Sequence, residues 1–525
     1  AAFENGWTPS TLIWDVPSEF PPSGNPNDSR PPYIPVNYDN RFHGPVTVRS
    51  ALANSYNIPA VKALQFVGIY DDPATTQTEG LINFARRMGI TTLERDDYGL
   101  ALTLGGGEVT LVEMTSAFAV MANSGRRVEP VAITRITDFQ GNVIFEQPPI
   151  TGEQVIRAEH AFLISSILAD NEARTPMFGS DSVLNLPFVA SSKTGTSNDF
   201  RDNWTMGYTT DLAVGVWVGN PDYTPMQNTT GLSGAAPIWA DFMQFAVPQL
   251  TGGNPTPFIR PAGIVEQIVC FDSGTEPSEW CPSQRVEYFA FDQLPLSSTY
   301  DLWQEILIDS WTGYRSSPAC SEYTTEKFVL NVTDPSAIKW IQENGQGQAW
   351  AESKGFQPPV IFAPERECQS SDPRPNLQIL GLIDRQVIDT SPLEIYVMAS
   401  ATQNFRSFRL EYGIGEDPQE WIPLTENLTS PISQPERIYD WDLNELSTDL
   451  VSLRLFMESI NDTHAKREVR LNLQVPTPTP TPTATATSTD IPTETPTQTM
   501  TPTITETGTA TPTPSITPTA TPTTP

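Results

Sequence analysis

Acyl transfer through a serine needs a nucleophilic hydroxyl, a base to take its proton, donors for the developing oxyanion and a docking point for substrate. Two short stretches of this chain carry residue types suited to parts of that work. Lys193-Thr194-Gly195-Thr196-Ser197 follows a run that reads as a strand, and Ser55-Tyr56-Asn57 lies far upstream of it. An ammonium supplies charge. A glycine with no side chain lets a second backbone lie against the strand. Each stretch alone has a plain reading: Ser-Tyr-Asn before Ile58-Pro59 suits a turn and helix cap, and Lys-Thr-Gly-Thr suits a hairpin end. Their order, with the intervening residues in register, favours chemistry.

Those residues need elements to hold them. Pro45 is placed to be a first helical residue, with Val48, Ala51 and Leu52 on one face before Ser55. A second helix is predicted from Pro59 to Gly68, with Val61, Leu64 and Val67 as its apolar stripe. Thr110-x-x-Glu113 reads as a capping box, followed by Met114, Ala117, Phe118 and Met121 at helical spacing until Gly125. A further helix is predicted over 153–170. Strands are predicted over 131–137, 143–146, 188–193, 204–209 and 212–218, and the Thr210-Asp211 break makes the last two an antiparallel hairpin. Pro237 opens a helix expected to bury Ile238, Phe242 and Phe245, and Trp217 is expected in the core. Helices on an antiparallel sheet make residues 1–260 an α+β unit.

The pattern weakens over 261–375, where Cys270, Cys281, Cys320 and Cys368 all fall. No Cys-x-x-Cys pair occurs, and His43, His160 and His464 are scattered, so zinc spacing is absent, and neither a metal nor a cofactor is expected. Two disulfides fit an oxidising compartment; four cysteines allow three pairings, of which Cys270–Cys281 with Cys320–Cys368 closes the shortest loops. Over 376–475, Phe408, Leu410 and Tyr412 alternate with polar residues, as do Val469, Leu471, Leu473 and Val475, and Trp421 and Trp441 are available for a core. This predicts a small β-sandwich of immunoglobulin or fibronectin type. Residues 476–525 form a Thr/Pro repeat without an aromatic or basic residue, which predicts a disordered stalk.

The formal net charge of −32 argues against a nucleic-acid partner, whose phosphates favour a basic face, and against electrostatic docking on anionic lipid. No run of eighteen apolar residues appears. The start, Ala1-Ala2-Phe3-Glu4, has neither the basic residues nor the apolar core of a signal peptide and lacks methionine, so the sequence reads as a fragment.

The chain resembles the transpeptidase domain of bifunctional (class A) penicillin-binding proteins. The resemblance rests on Pro35-Val36-Asn37-Tyr38-Asp39, Phe42-His43-Gly44, Val46-Thr47-Val48-Arg49 and the run from Ala51 through Ser55-Tyr56-Asn57 to Val61. It continues in Leu104-Gly105-Gly106-Gly107-Glu108-Val109-Thr110, Lys193-Thr194-Gly195-Thr196-Ser197-Asn198-Asp199, Arg201-Asp202-Asn203-Trp204 and Gly215-Val216-Trp217-Val218-Gly219-Asn220. It implies a penicillin-binding/serine β-lactamase-like antiparallel sheet with helices, and the catalytic residues Ser55, Asn57 and Lys193. Lys193 would face a substrate carboxylate, Ser55 would shuttle a proton, and Asn57 would hold the acyl-side amide of the donor peptide. Thr194, Gly195 and Thr196 would bind substrate, with the Thr196 N–H a candidate oxyanion donor. Glu108 is expected to support its loop.

One departure is large. The family's Ser-x-x-Lys nucleophile motif lies just before a segment similar to Ala2-Phe3-Glu4-Asn5-Gly6-Trp7-Thr8-Pro9, so the nucleophile is expected upstream of Ala1 and the chain as given is expected to be inactive alone. Ser336-Ala337-Ile338-Lys339 has the spacing but comes after the other motifs and reads as a chance match. The implied activity is D-Ala-D-Ala transpeptidation in cell-wall synthesis at the extracytoplasmic face, with peptidoglycan stem peptides and β-lactams as partners and membrane contact only through an upstream anchor. The alternatives are a non-catalytic wall-binding scaffold of the same ancestry, or a carboxypeptidase or β-lactamase.

Overall fold

The computed structural model describes residues 1–72 and 79–474; the Thr/Pro stalk expectation and Val475 lie outside the described residues. Strand β1 (Leu12–Asp15) pairs antiparallel with β2 (Gly44–Thr47), and helices α1 (Val48–Asn54) and α2 (Asn57–Val67) come next. The helix start predicted at Pro45 is corrected, because Pro45 pairs with Trp14 in β2. The helix begins where a side chain can cap it: the Thr47 hydroxyl accepts from Ser50 N.

Helix α3 (Leu81–Arg87) precedes α4 (Leu111–Ala122), which Thr110 caps by accepting from Glu113 N. The reciprocal half of the capping box is missing, because the Glu113 carboxylate accepts instead from Thr91 and Thr92. Strands β3 (Arg126–Arg127) and β6 (Glu153–Gln154) pair around the hairpin of β4 (Arg135–Thr137) and β5 (Val143–Glu146). The helix expected over 153–170 is shorter: β6 takes its start, α5 is Ala158–Leu168, and α6 (Asn171–Phe178) restarts where the Asp170 carboxylate accepts from Ala173 N.

The central sheet is antiparallel, in the order β7 (Ser191–Thr196), β8 (Asp202–Tyr208), β9 (Ala213–Gly219). Helix α7 (Ala236–Thr251) covers it with Trp239, Ala240, Met243 and Val247, packed with Val214 and Val216. The expected inner stripe of Ile238, Phe242 and Phe245 is instead exposed. This helix is apolar on both faces, and close approach decides between them. Gly207 on β8 leaves the room that the Trp239 ring fills; a Cβ there would lie 2.3 Å from that ring. Trp217 is likewise half-exposed rather than core, its indole N–H donating to Asp202 Oδ1 at 2.9 Å.

Two hairpins come after α7, β10 (Ile264–Cys270) with β11 (Gln284–Ala290) and β12 (Trp303–Asp309) with β13 (Thr324–Leu330), then α8 (Pro335–Glu343) and α9 (Gly345–Ser353). The cysteines are joined Cys270–Cys281 and Cys320–Cys368. Apolar clusters cross both residue 260 and residue 375. Ile264 packs with Phe3, Ala53 and Leu163, and Trp14 and Val16 pack with Leu302, Trp303 and Trp340. Trp311 and Tyr323 belong to the core of the final unit.

That unit contains β14 (Pro375–Leu380), β15 (Gln386–Ile388), β16 (Leu393–Ala401), β17 (Phe405–Ile414), β18 (Ile422–Pro423), β19 (Ile432–Trp441), β20 (Leu450–Ser459) and β21 (His464–Leu473). They form two sheets, β14-β16-β19 and β15-β21-β20-β17-β18, whose shared core includes Phe408, Leu410, Trp441 and Leu471. Trp421 is not in that core; the Arg454 guanidinium lies over its ring at 3.8 Å. Among the described residues, no helix is long and apolar enough to cross a membrane.

The two faces of α7 make a direct test. Trp239→Ala, fully buried, is expected to cost about 3–5 kcal/mol through cavity formation. Phe245→Ala, 68 % exposed, is expected to change stability by less than about 0.5 kcal/mol. Urea unfolding midpoints of the two variants check the assignment of faces.

Candidate active site

Ser55 ends α1 in a left-handed conformation, φ 61° and ψ 40°, with its N–H donating to Ala51 O and Leu52 O. A serine pays strain for positive φ, so a fixed surround must hold it there. The turn sets Ser55 at the corner between α1 and α2. Asn54, the last residue of α1, ties that corner to α6: its Nδ2 donates to Ala173 O at 2.8 Å and its Oδ1 accepts from Met177 N at 3.1 Å.

A buried polar network supports the Tyr56-Asn57 side of the corner. Asp15, 0 % exposed, accepts from Asn37 Nδ2 at 2.7 and 2.9 Å and from the His43 backbone N–H at 3.1 Å. Its Oδ2 is also 2.6 Å from His43 Nδ1. Asn37 Oδ1 in turn accepts from Asn57 N at 2.8 Å, and the His43 ring stacks on Tyr56 at 3.9 Å between centroids. Burial disfavours the charged His43 ring, but the hydrogen bond and charge of Asp15, with the charge of Asp39, outweigh it and hold its pKa above the ordinary value. Asn57 Nδ2 donates to Val36 O at 2.7 Å.

Strand β7 brings in the second stretch. It is an edge of its sheet, with Lys193 opposite Met206, Thr194 opposite Thr205, Gly195 opposite Trp204 and Thr196 opposite Asn203. An edge strand offers unpaired backbone groups to an extended ligand. Thr196 Oγ1 accepts from Gly231 N at 3.0 Å. Gly231 must be glycine, since a Cβ there would lie 2.5 Å from Trp204 O and 2.6 Å from Gly195 O.

The two stretches meet. Lys193 Nζ donates to Ser55 Oγ at 2.6 Å and to Thr194 O at 2.7 Å, joining residues 138 apart in sequence. A cavity of about 400 Å³ opens beside them, lined by Ala1, Phe3, Trp7, Ser55, Asn57 and Lys193 among others; Thr194, Gly195 and Thr196 lie outside its lining. Burial, and then the charge of Arg174, push the Lys193 pKa down to about 8. Arg174 is itself buried, donating to Ser192 Oγ at 2.7 Å and to Leu168 O. An amine poised near neutrality can carry charge toward a carboxylate and exchange a proton with the hydroxyl it touches.

Sequence reasoning brought forward Ser55, Asn57, Lys193, Thr194, Gly195 and Thr196, and all six lie on this corner and strand. It assigned no part to Arg174, Asp15, Asn37 or His43. The signal available for the last two was their place in the stretches 35–39 and 42–44; Arg174 had none. Ser336 and Lys339 lie on α8, away from the cavity lining, with Ser336 N donating to the Asp334 cap and Lys339 exposed.

Residues 1–244 match the family model described as "Penicillin binding protein transpeptidase domain". They belong to the penicillin-binding protein transpeptidase family. Among curated relatives, penicillin-binding protein 2D of Bacillus subtilis (strain 168) is 31% identical over 305 residues, 57% of this chain and 41% of that protein. Penicillin-binding protein 1A of Neisseria lactamica is 30% identical over 304 residues, 55% of this chain and 36% of that protein. This chain thus spans less than half the length of either. The crystal structure of penicillin-binding protein 1A from Haemophilus influenzae is similar at 26% identity and a TM-score of 0.48, over 57% of this chain and 47% of that one.

The transpeptidase-family corner predicts an unusual titration. With 13Cε-labelled lysine, Lys193 is expected to titrate near pH 8, and Arg174→Met, which removes the neighbouring charge while keeping the bulk, is expected to move that midpoint upward. A midpoint unmoved by the substitution would contradict the coupling.

Proposed function

We propose that the protein is a peptidoglycan D,D-transpeptidase of which these 525 residues form a part, acting at the extracytoplasmic face of the membrane. A serine of a Ser-x-x-Lys motif upstream of Ala1 would be the nucleophile. Its Oγ attacks the carbonyl carbon of the terminal D-Ala-D-Ala peptide bond, D-alanine leaves with a proton on its nitrogen, and an ester links donor peptide to enzyme. An amine of a neighbouring stem peptide then attacks that ester, loses a proton, and frees the serine. β-Lactams would acylate the same hydroxyl and block it.

The observation that carries this reading is the 2.6 Å hydrogen bond from Lys193 Nζ to Ser55 Oγ beside the cavity. In this reading Ser55 passes a proton between Lys193 and the lysine of the nucleophile motif, and the Lys193 charge draws in the donor carboxylate. Thr196 fits a carboxylate-binding role because its Oγ1 already accepts from Gly231 N, which leaves its own hydrogen to donate. Val36 O holds the Asn57 amide nitrogen, which leaves the Asn57 carbonyl oxygen for the donor peptide's N–H. The edge position of β7 suits a peptide bound as an added strand, with the Thr196 N–H as an oxyanion donor.

A fluorescent penicillin tests the proposal on the full natural polypeptide, with its upstream sequence. Covalent labelling is expected, and Lys193→Ala is expected to slow it by about 10²–10³-fold, the range for loss of one electrostatic group at such a centre. A folded protein that takes no label would instead support a non-catalytic scaffold.

A further inference from the structure

A buried charge cluster sits at the opposite end of α1 from Ser55. Arg49, in the first turn, donates from Nε to Glu287 Oε2 at 2.7 Å and from Nη2 to Glu287 Oε1 at 2.6 Å, a two-pronged pairing between residues 238 apart in sequence. Its Nη1 reaches Asp170 Oδ2 at 3.0 Å, and its Nη2 reaches Ser166 Oγ at 3.2 Å. Glu287 is 2 % exposed and also accepts from Tyr288 N at 2.8 Å. A second arginine of β11, Arg285, lies 3.5 Å from Glu287 and donates to Thr47 Oγ1 at 2.9 Å, the hydroxyl that caps α1. β11 therefore grips the first turn of α1 at its cap and at its second residue. Two arginines face two carboxylates, so the cluster closes electrically within itself.

We infer that Glu287, which lies beyond the residues the family model matches, is a positioning residue for Ser55: through Arg49 it fixes α1 along its axis, and so sets the height at which Ser55 meets Lys193. Seven helical residues link the two ends, so α1 transmits a displacement as a short rigid rod of about 10 Å. Reacting groups tolerate little of it, since misplacement by about 1 Å can cost 10²-fold in rate. The 261–375 segment thereby becomes part of the active-site scaffold, its hairpin pinned by Cys270–Cys281.

The inference rests on the transpeptidase reading for its effect on rate, but not for its effect on geometry, and two measurements separate these. On the full natural polypeptide, Glu287→Gln is expected to lower the maximal rate of penicillin acylation by about 10²-fold while the concentration giving half that rate stays within about threefold. Glu287→Asp, which keeps the charge, is expected to recover most of the rate, and Arg49→Lys, which keeps charge but loses the fork, is a milder second variant should Glu287→Gln unfold. On the chain of 525 residues, Glu287→Gln is expected to move the Lys193 titration below its midpoint of about 8, because a displaced Ser55 no longer accepts from the ammonium. A folded Glu287→Gln protein with wild-type acylation and an unmoved Lys193 midpoint overturns the positioning role. A wild-type protein that takes no label, together with a Lys193 midpoint that does respond, overturns the transpeptidase reading and leaves the positioning role standing.

Discussion

A partly buried ammonium is the constraint on which the rest depends. Removing a lysine charge from water is costly unless it is hydrogen-bonded, and the cost shows as the lowered Lys193 pKa. Ser55 Oγ and Thr194 O accept from it, while Arg174 adds a second positive charge close by. Burial and Arg174 disfavour the charged amine, and the hydrogen bond to Ser55 Oγ opposes them only while Ser55 is held in place. The left-handed turn at Ser55, the Asn54 tie to α6, the Asp15–Asn37–His43 network under Tyr56-Asn57 and the Arg49–Glu287 grip on α1 all act on that one position.

Their distribution explains why the transpeptidase-family half does not stand apart from the segment carrying the cysteines. Ile264 completes the packing of Phe3 and Ala53, and β11 supplies the charges that close around Arg49. Trp311 and Tyr323 reach in turn into the core of the final sandwich, where Tyr323 OH accepts from Leu377 N at 3.2 Å. Each unit thus buries part of its neighbour, the arrangement by which a change in one is felt mechanically in the next.

The features legible in the sequence were those that local pattern or residue type dictates. The Ser55 and Lys193 stretches, the α+β character, the Thr210-Asp211 hairpin and the alternation of β17 all have periodic or turn signals within a few residues. The features that were not legible depend on tertiary choice. Helix α7 is apolar on two faces, and only the space left by Gly207 selects Trp239 over Phe245. Pro45 can open a helix or sit in a strand, and pairing with Trp14 decides it. Trp421 suits a core, but Arg454 offers its ring a surface partner. Glu287 is one of many acidic residues on a chain of net charge −32, and nothing local marks it as the partner of a residue 238 positions away.

The most direct test of the central claim is a double-mutant cycle on penicillin acylation of the full natural polypeptide, combining Ser55→Ala with Lys193→Met. If Lys193 works through the hydroxyl it touches, the two losses overlap, and the coupling energy is expected to exceed about 1 kcal/mol. Losses that add to within about 0.5 kcal/mol would mean the two groups act independently, and the account of a shared proton path would be wrong.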